Sequence, residues 1–278
     1  MSSILYSHIF LAVCATAMTA ETMMTFDLCG EGKMLYLAIV FFSTLLVYNI
    51  KGVMLITYFR KEVISEKLKW ATENEKKILA EVFISTVFLL IASYYISYKT
   101  ILYLLPFGLL SIAYSIVVRI SKYKISLREI PFLKTILVAA VWTFVVAYFP
   151  FVLFRVVIRL DVFWLISEFM FLFSLSILFD IKDIQIDKTN ATITFPLVIG
   201  VSRTIVLSFL FMTGRILFLF FSRISFSSLM TEITISIIAT FFIFSLLKKS
   251  REEKYYMLWI DGLMVGKFLL FLLFQKII

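Results

Sequence analysis

Residues 162–188 read VFWLISEFMFLFSLSILFDIKDIQIDK. An apolar run over 162–179 passes directly into Asp180, Asp183 and Asp187, spaced three and then four apart. Residues at those spacings share one face of a helix. The aspartates therefore predict an acidic stripe at the end of an apolar helix. Like charges so placed repel one another. A solvated loop would relieve the repulsion, and so would a bound cation. Mg2+ suits such a stripe, because it is commonly held by one or two carboxylates plus phosphate oxygens.

The rest of the chain is as apolar as this stretch. Of 278 residues, 62% are hydrophobic and the mean hydropathy is +1.02. A soluble core cannot hide that much apolar surface. A membrane span needs about 20 apolar residues, and such runs fall at 4–24, 34–58, 78–98, 100–118, 132–154, 161–180, 196–221, 228–247 and 256–275. The runs are continuous rather than alternating, which predicts helices and not a barrel. The fold class expected is all-α, a polytopic membrane protein of nine transmembrane helices forming one domain over 1–278. The first run lacks a charged leader and a small-residue cleavage site, so it reads as a span and not a signal peptide. Pro131 and Pro196 are expected in first helical turns, and Pro106 and Pro150 within spans, where they kink or end a helix.

The net charge of +9 follows from topology and not from nucleic-acid binding. The even-numbered loops carry sixteen Lys and Arg, the odd loops and C-terminal end six. Cytoplasmic loops collect such residues. This places the even loops and the N-terminus in the cytoplasm, with the stripe on that side, and suggests the cell inner membrane. Cys14 and Cys29 are the only cysteines, and His8 is the only histidine. Cys14 lies within an apolar run, so no disulfide framework is expected, and a lone histidine rules out a His-cluster metal site.

Ionisable groups inside spans are costly and mark functional sites by default. Here they are Lys51, Glu81, Glu168, Arg203, Arg215, Asp261 and Lys267. Structural readings stand beside each. Lys51, Glu81 and Lys267 can snorkel to an interface, while Glu168 or Asp261 can pair with Arg203 or Arg215. Glu232 falls near the far end of span eight, away from the stripe.

Residues 180–200, DIKDIQIDKTNATITFPLVIG, resemble the second aspartate motif of the UbiA superfamily of intramembrane prenyltransferases. Asp183 and Asp187 match its D-x-x-x-D, Asp180 the polar position before it and Lys188 the basic position after it. Thr194-Phe195-Pro196 and Val198-Ile199-Gly200 complete the pattern. The span count and orientation also match, so the resemblance covers nearly the whole chain. It implies a UbiA-like helical bundle, and an enzyme that moves an isoprenoid chain from a prenyl diphosphate to an acceptor. It further implies Mg2+ held by Asp183 and Asp187 with support from Asp180. Asn49, Lys51, Lys182 and Lys188 would then contact the diphosphate. Membrane lipid, prenyl diphosphate and the acceptor are the implied partners, with no nucleic acid.

The first motif of that family, N-D-x-x-D-x-x-x-D, faces the second across the site. Only its Asn is matched here, by Asn49; the aspartate positions are Ile50, Val53 and Thr57. Lys51 is a new cation in the same place and is expected to stand in for the missing metal or to snorkel. The missing carboxylates keep open a non-catalytic relative that binds lipid or scaffolds other proteins. The buried charges keep open, less strongly, a transporter.

Overall fold

The computed structural model describes residues 2–28, 30–59, 66–115, 118–120, 123–125, 130–189, 192–248 and 253–277. Seven of its helices are long and apolar enough to cross a membrane: 33–54, 75–95, 133–153, 162–182, 201–221, 226–246 and 256–276. They fall on seven of the nine expected spans. Shorter or less apolar helices, Ile9–Thr25 and Tyr98–Ser115, stand at the other two. The chain is an all-α polytopic membrane protein. It divides into two compact units, one of residues 1–16 and 31–127, the other of residues 17–30 and 128–278.

The first unit contains α1 (Ser2–Tyr6), the first half of α2 (Ile9–Thr25), α3 (Lys33–Phe59), α4 (Glu66–Glu73), α5 (Glu75–Tyr95) and α6 (Tyr98–Ser115). A short antiparallel pair, β1 (Val118–Ile120) and β2 (Tyr123–Ile125), follows in a loop from which no strands were expected. Phe42 of α3 stacks on Phe88 of α5 with centroids 4.1 Å apart. Ala71 and Ile78 form a buried cluster with Val53 and Trp70. Asn74 separates α4 from α5 because its side-chain amide donates to the Trp70 carbonyl at 2.9 Å. A side chain that bonds nearby backbone competes with helix continuation.

The second unit begins with the end of α2. It continues through α7 (Leu133–Thr143), α8 (Phe149–Leu153), α9 (Val162–Lys182), α10 (Ile184–Thr189), α11 (Phe195–Ile199), α12 (Val201–Phe221), α13 (Phe226–Lys248), α14 (Glu253–Tyr255) and α15 (Asp261–Ile277). Span five is not one α-helix: residues 144–148 form a π-turn before Pro150. A proline ring clashes with the carbonyl four residues back and donates no hydrogen bond, and the wider turn accommodates both. Pro131 lies outside α7 rather than in its first turn. Span seven breaks at Gly200, whose φ of 83° and ψ of 158° are open essentially only to glycine. Asp161 caps α9, accepting from the Trp164 amide at 2.9 Å.

Small side chains let α9 and α12 approach. Ser174 donates to the Ser208 carbonyl at 2.8 Å, and Ser208 to the Ser174 carbonyl at 2.9 Å. Such reciprocal bonds hold helices together where lipid supplies no hydrophobic drive. A buried ionic network ties further helices to them. Arg215 of α12 is fully buried and reaches Glu168 at 3.0 Å and Glu232 at 2.5 Å. Lys267 of α15 meets Glu168 at 2.5 Å, Glu232 at 2.9 Å and Glu21 of α2 at 3.7 Å. Ser167 and Ser236 accept from Arg215. Of the pairings expected for these charges, Glu168–Arg215 forms. Arg203 is exposed, and Lys267 is buried rather than snorkelling. Glu232, near the start of α13, is a member of this network.

Candidate functional site

The acidic stripe forms, but across a junction. α9 ends at Lys182, Asp183 caps it, and α10 starts at Ile184. The i-to-i−4 bonding survives the step, from the Asp183 amide to the Phe179 carbonyl at 3.0 Å and from the Asp187 amide to the Asp183 carbonyl at 2.8 Å. Asp180, Asp183 and Asp187 thereby keep a common face. Asp180 and Asp187 are buried, and Asp183 is partly exposed.

What the stripe faces is Lys134, in the first turn of α7. Its ammonium lies 3.3 Å from Asp180, 3.2 Å from Asp183 and 2.8 Å from Asp187. The neighbouring Thr135 hydroxyl donates to the other oxygen of Asp180. Local structure explains why α7 starts here. Phe132 adopts a left-handed φ of 63° and its amide donates to the Ile193 carbonyl at 2.9 Å. Its ring stacks on Phe195 with centroids 4.5 Å apart. The start of α7 is thus pinned to the strand-like approach to α11, which aims Lys134 and Thr135 at the end of α9.

The expected phosphate-contacting lysines differ. Lys182 lies 3.5 Å from Asp183 and over the Phe179 ring. Lys188 is exposed in the last turn of α10. In the first unit, Asn49 is fully buried and committed to other partners. Its carbonyl oxygen is 2.9 Å from His8 Nδ1, and its amide donates to Glu81 at 2.9 Å. Glu81 therefore holds Asn49 instead of snorkelling. Lys51 lies 6.0 Å from the Tyr48 ring centroid. Thr57 is at a position whose side chain lies outside the described residues.

Three carboxylates are chemically suitable ligands for Mg2+. Here all three converge on one ammonium group. The point they share is held by the Lys134 ammonium. The repulsion along the stripe is relieved by a lysine. Sequence reasoning missed Lys134 because it belongs to another span. The available signal was a cation inside the first turn of an apolar run, where the helix dipole disfavours positive charge.

No family model matches the chain, and no curated protein matches it. Solved structures do. A UbiA homologue from Archaeoglobus fulgidus, solved with GPP and Mg2+, superposes with a TM-score of 0.68 at 12% identity, covering 99% of this chain and 100% of that one. An apo UbiA homologue from Aeropyrum pernix K1 gives 0.63 at 10% identity, covering 100% and 98%. A structure of digeranylgeranylglyceryl phosphate synthase gives 0.52 at 13% identity over all of both chains. The fold is therefore that of an intramembrane helical protein of the UbiA type, from end to end.

Proposed function

We propose that this chain is a member of the UbiA superfamily that binds a prenyl diphosphate and transfers its isoprenoid chain to an acceptor. The observation that carries the reading is the aspartate stripe at the end of α9, gathered around a cation within a UbiA-type fold. In the reaction, the bond from the allylic carbon to diphosphate oxygen breaks and its electron pair leaves with the diphosphate. The acceptor supplies the electron pair of the new bond to that carbon and gives up a proton to the departing diphosphate. Lys134 and Lys182 place positive charge where the leaving group gains negative charge, and the carboxylates hold those ammonium groups in position. Lys188 adds charge from the loop side.

Charge alone does not recruit the substrate. Three aspartates against Lys134 and Lys182 leave the cluster formally anionic. Affinity has to come from the isoprenoid tail, at about 0.8 kcal/mol per buried CH2. The phenylalanine-rich helices offer that tail an apolar, water-poor surround.

A second reading has its own support. The positions Ile50, Val53 and Thr57 lack the first-motif carboxylates, and Lys134 engages the second motif. This favours a relative that binds isoprenoid lipid without turning it over. One experiment separates the two. Purified protein in nanodiscs is incubated with labelled prenyl diphosphate and a lipid extract as the source of acceptor. Diphosphate release with a labelled lipid product supports the transferase; saturable binding without release supports the second reading. No saturable binding overturns both.

A further inference from the structure

We propose that Lys134 is the resident cation of the Asp180–Asp183–Asp187 cluster and takes the position a divalent metal would hold, so that this site works without one. The strongest observation is that all six carboxylate oxygens are already committed. Asp180 uses one oxygen for Lys134 at 3.3 Å and the other for the Thr135 hydroxyl. Asp183 uses one for Lys134 at 3.2 Å and the other for Lys182 at 3.5 Å. Asp187 turns both toward Lys134, at 3.0 and 2.8 Å. A Mg2+ ion needs carboxylate oxygens at about 2.0–2.1 Å in near-octahedral array. It would have to take them from an ammonium group that also repels it.

The lysine is placed, not incidental. It sits in the first turn of α7, where the helix dipole opposes a cation, and its side chain is 14% exposed. The stripe supplies the local anion that offsets this. The backbone holds it in register through the left-handed Phe132, the bond to Ile193 and the stack on Phe195. The charge that faces the stripe comes from its own unit, from Lys134 and Lys182. Lys51, the substitute expected from the sequence, is not required for it.

This inference deepens the proposed function, resting on it for the role of the site, but its test uses no prenyl diphosphate and so can fail on its own. The full-length protein in nanodiscs is titrated with Mn2+, a spectroscopic stand-in for Mg2+, and binding is read by electron paramagnetic resonance. Wild type is expected to show no Mn2+ bound at the stripe. Lys134→Gln, which removes the charge and leaves a neutral amide one atom shorter, is expected to bind one Mn2+ at least about tenfold more tightly than wild type. Adding Asp183→Asn and Asp187→Asn to that variant should abolish the gain. Lys134→Arg, which restores the charge, should bind no better than wild type. Stoichiometric Mn2+ binding by wild type that disappears in Asp183→Asn/Asp187→Asn overturns the inference, and so does a folded Lys134→Gln that gains nothing. The wild-type titration needs no change at Lys134, so a Lys134→Gln that fails to fold leaves it standing.

Discussion

Replacing Arg215 by Met should destabilise the second unit more than any other single change in its buried network. Arg215 is fully buried and ion-paired to Glu168 at 3.0 Å and Glu232 at 2.5 Å. It also donates to Ser167 and Ser236 and lies 4.8 Å from the Phe171 ring centroid. Without it, Glu21, Glu168 and Glu232 share Lys267 alone. Removing one partner of a buried pair costs about 3–5 kcal/mol, because the other charge is left uncompensated. On the scale of 2–4 °C per kcal/mol, that lowers the melting temperature by on the order of 10 °C. Glu21→Gln should behave in the opposite way. The network holds three carboxylates against two cations, and Glu21 Oε2 has no hydrogen-bond partner among the described residues. Neutralising Glu21 balances the charge and should leave stability within about 1 kcal/mol of wild type or raise it. Scanning fluorimetry of the detergent-solubilised protein measures both. An Arg215→Met variant melting within a few degrees of wild type would refute the reasoning. Equal losses from the two substitutions would do the same.

Three further outcomes follow from other parts of the chain. Single cysteines placed at Lys76 and Thr189, both exposed, should resist an impermeant maleimide in intact cells and label after permeabilisation; ready labelling of either in intact cells overturns the orientation drawn from the basic residues. Asn49→Leu strips His8 and Glu81 of a shared partner and should cost about 1–3 kcal/mol, seen as a lowered melting temperature, whereas an unchanged one means the three do not form a unit. Gly200→Ala meets no steric neighbour, yet φ there is 83°, so a loss of about 1–3 kcal/mol is expected from backbone strain alone; a neutral variant would show the break between α11 and α12 to be adjustable.

Much of this architecture is legible in the sequence, for a physical reason. Lipid demands long apolar helices, so composition and run length show where helices fall. The stripe was legible because its spacing is a local property of one helix, and it holds even where α9 passes into α10. What lies across helices was not legible. Lys134 is 46 positions before Asp180 in the chain, and no periodicity links them. Glu232 read as a residue at a span end because its partners, Arg215 and Lys267, come from two other helices. Asn49 matched a family position, yet its amide is taken by His8 and Glu81, again through tertiary pairing. The break at Gly200 could have been foreseen, since Pro196 opens a helix and a glycine four residues later can end it.

The central claim is that the aspartate stripe with Lys134 is the diphosphate end of an isoprenoid site and needs no metal. The direct measurement is the affinity of the wild-type protein, in nanodiscs, for a labelled prenyl diphosphate, taken once with Mg2+ and once with EDTA, and repeated for Lys134→Met. The account expects wild-type dissociation constants that agree within about twofold in the two buffers, and a loss of at least about tenfold in the variant in EDTA. Wild-type binding that appears only with Mg2+, or binding in EDTA that is unaltered by Lys134→Met, would contradict it.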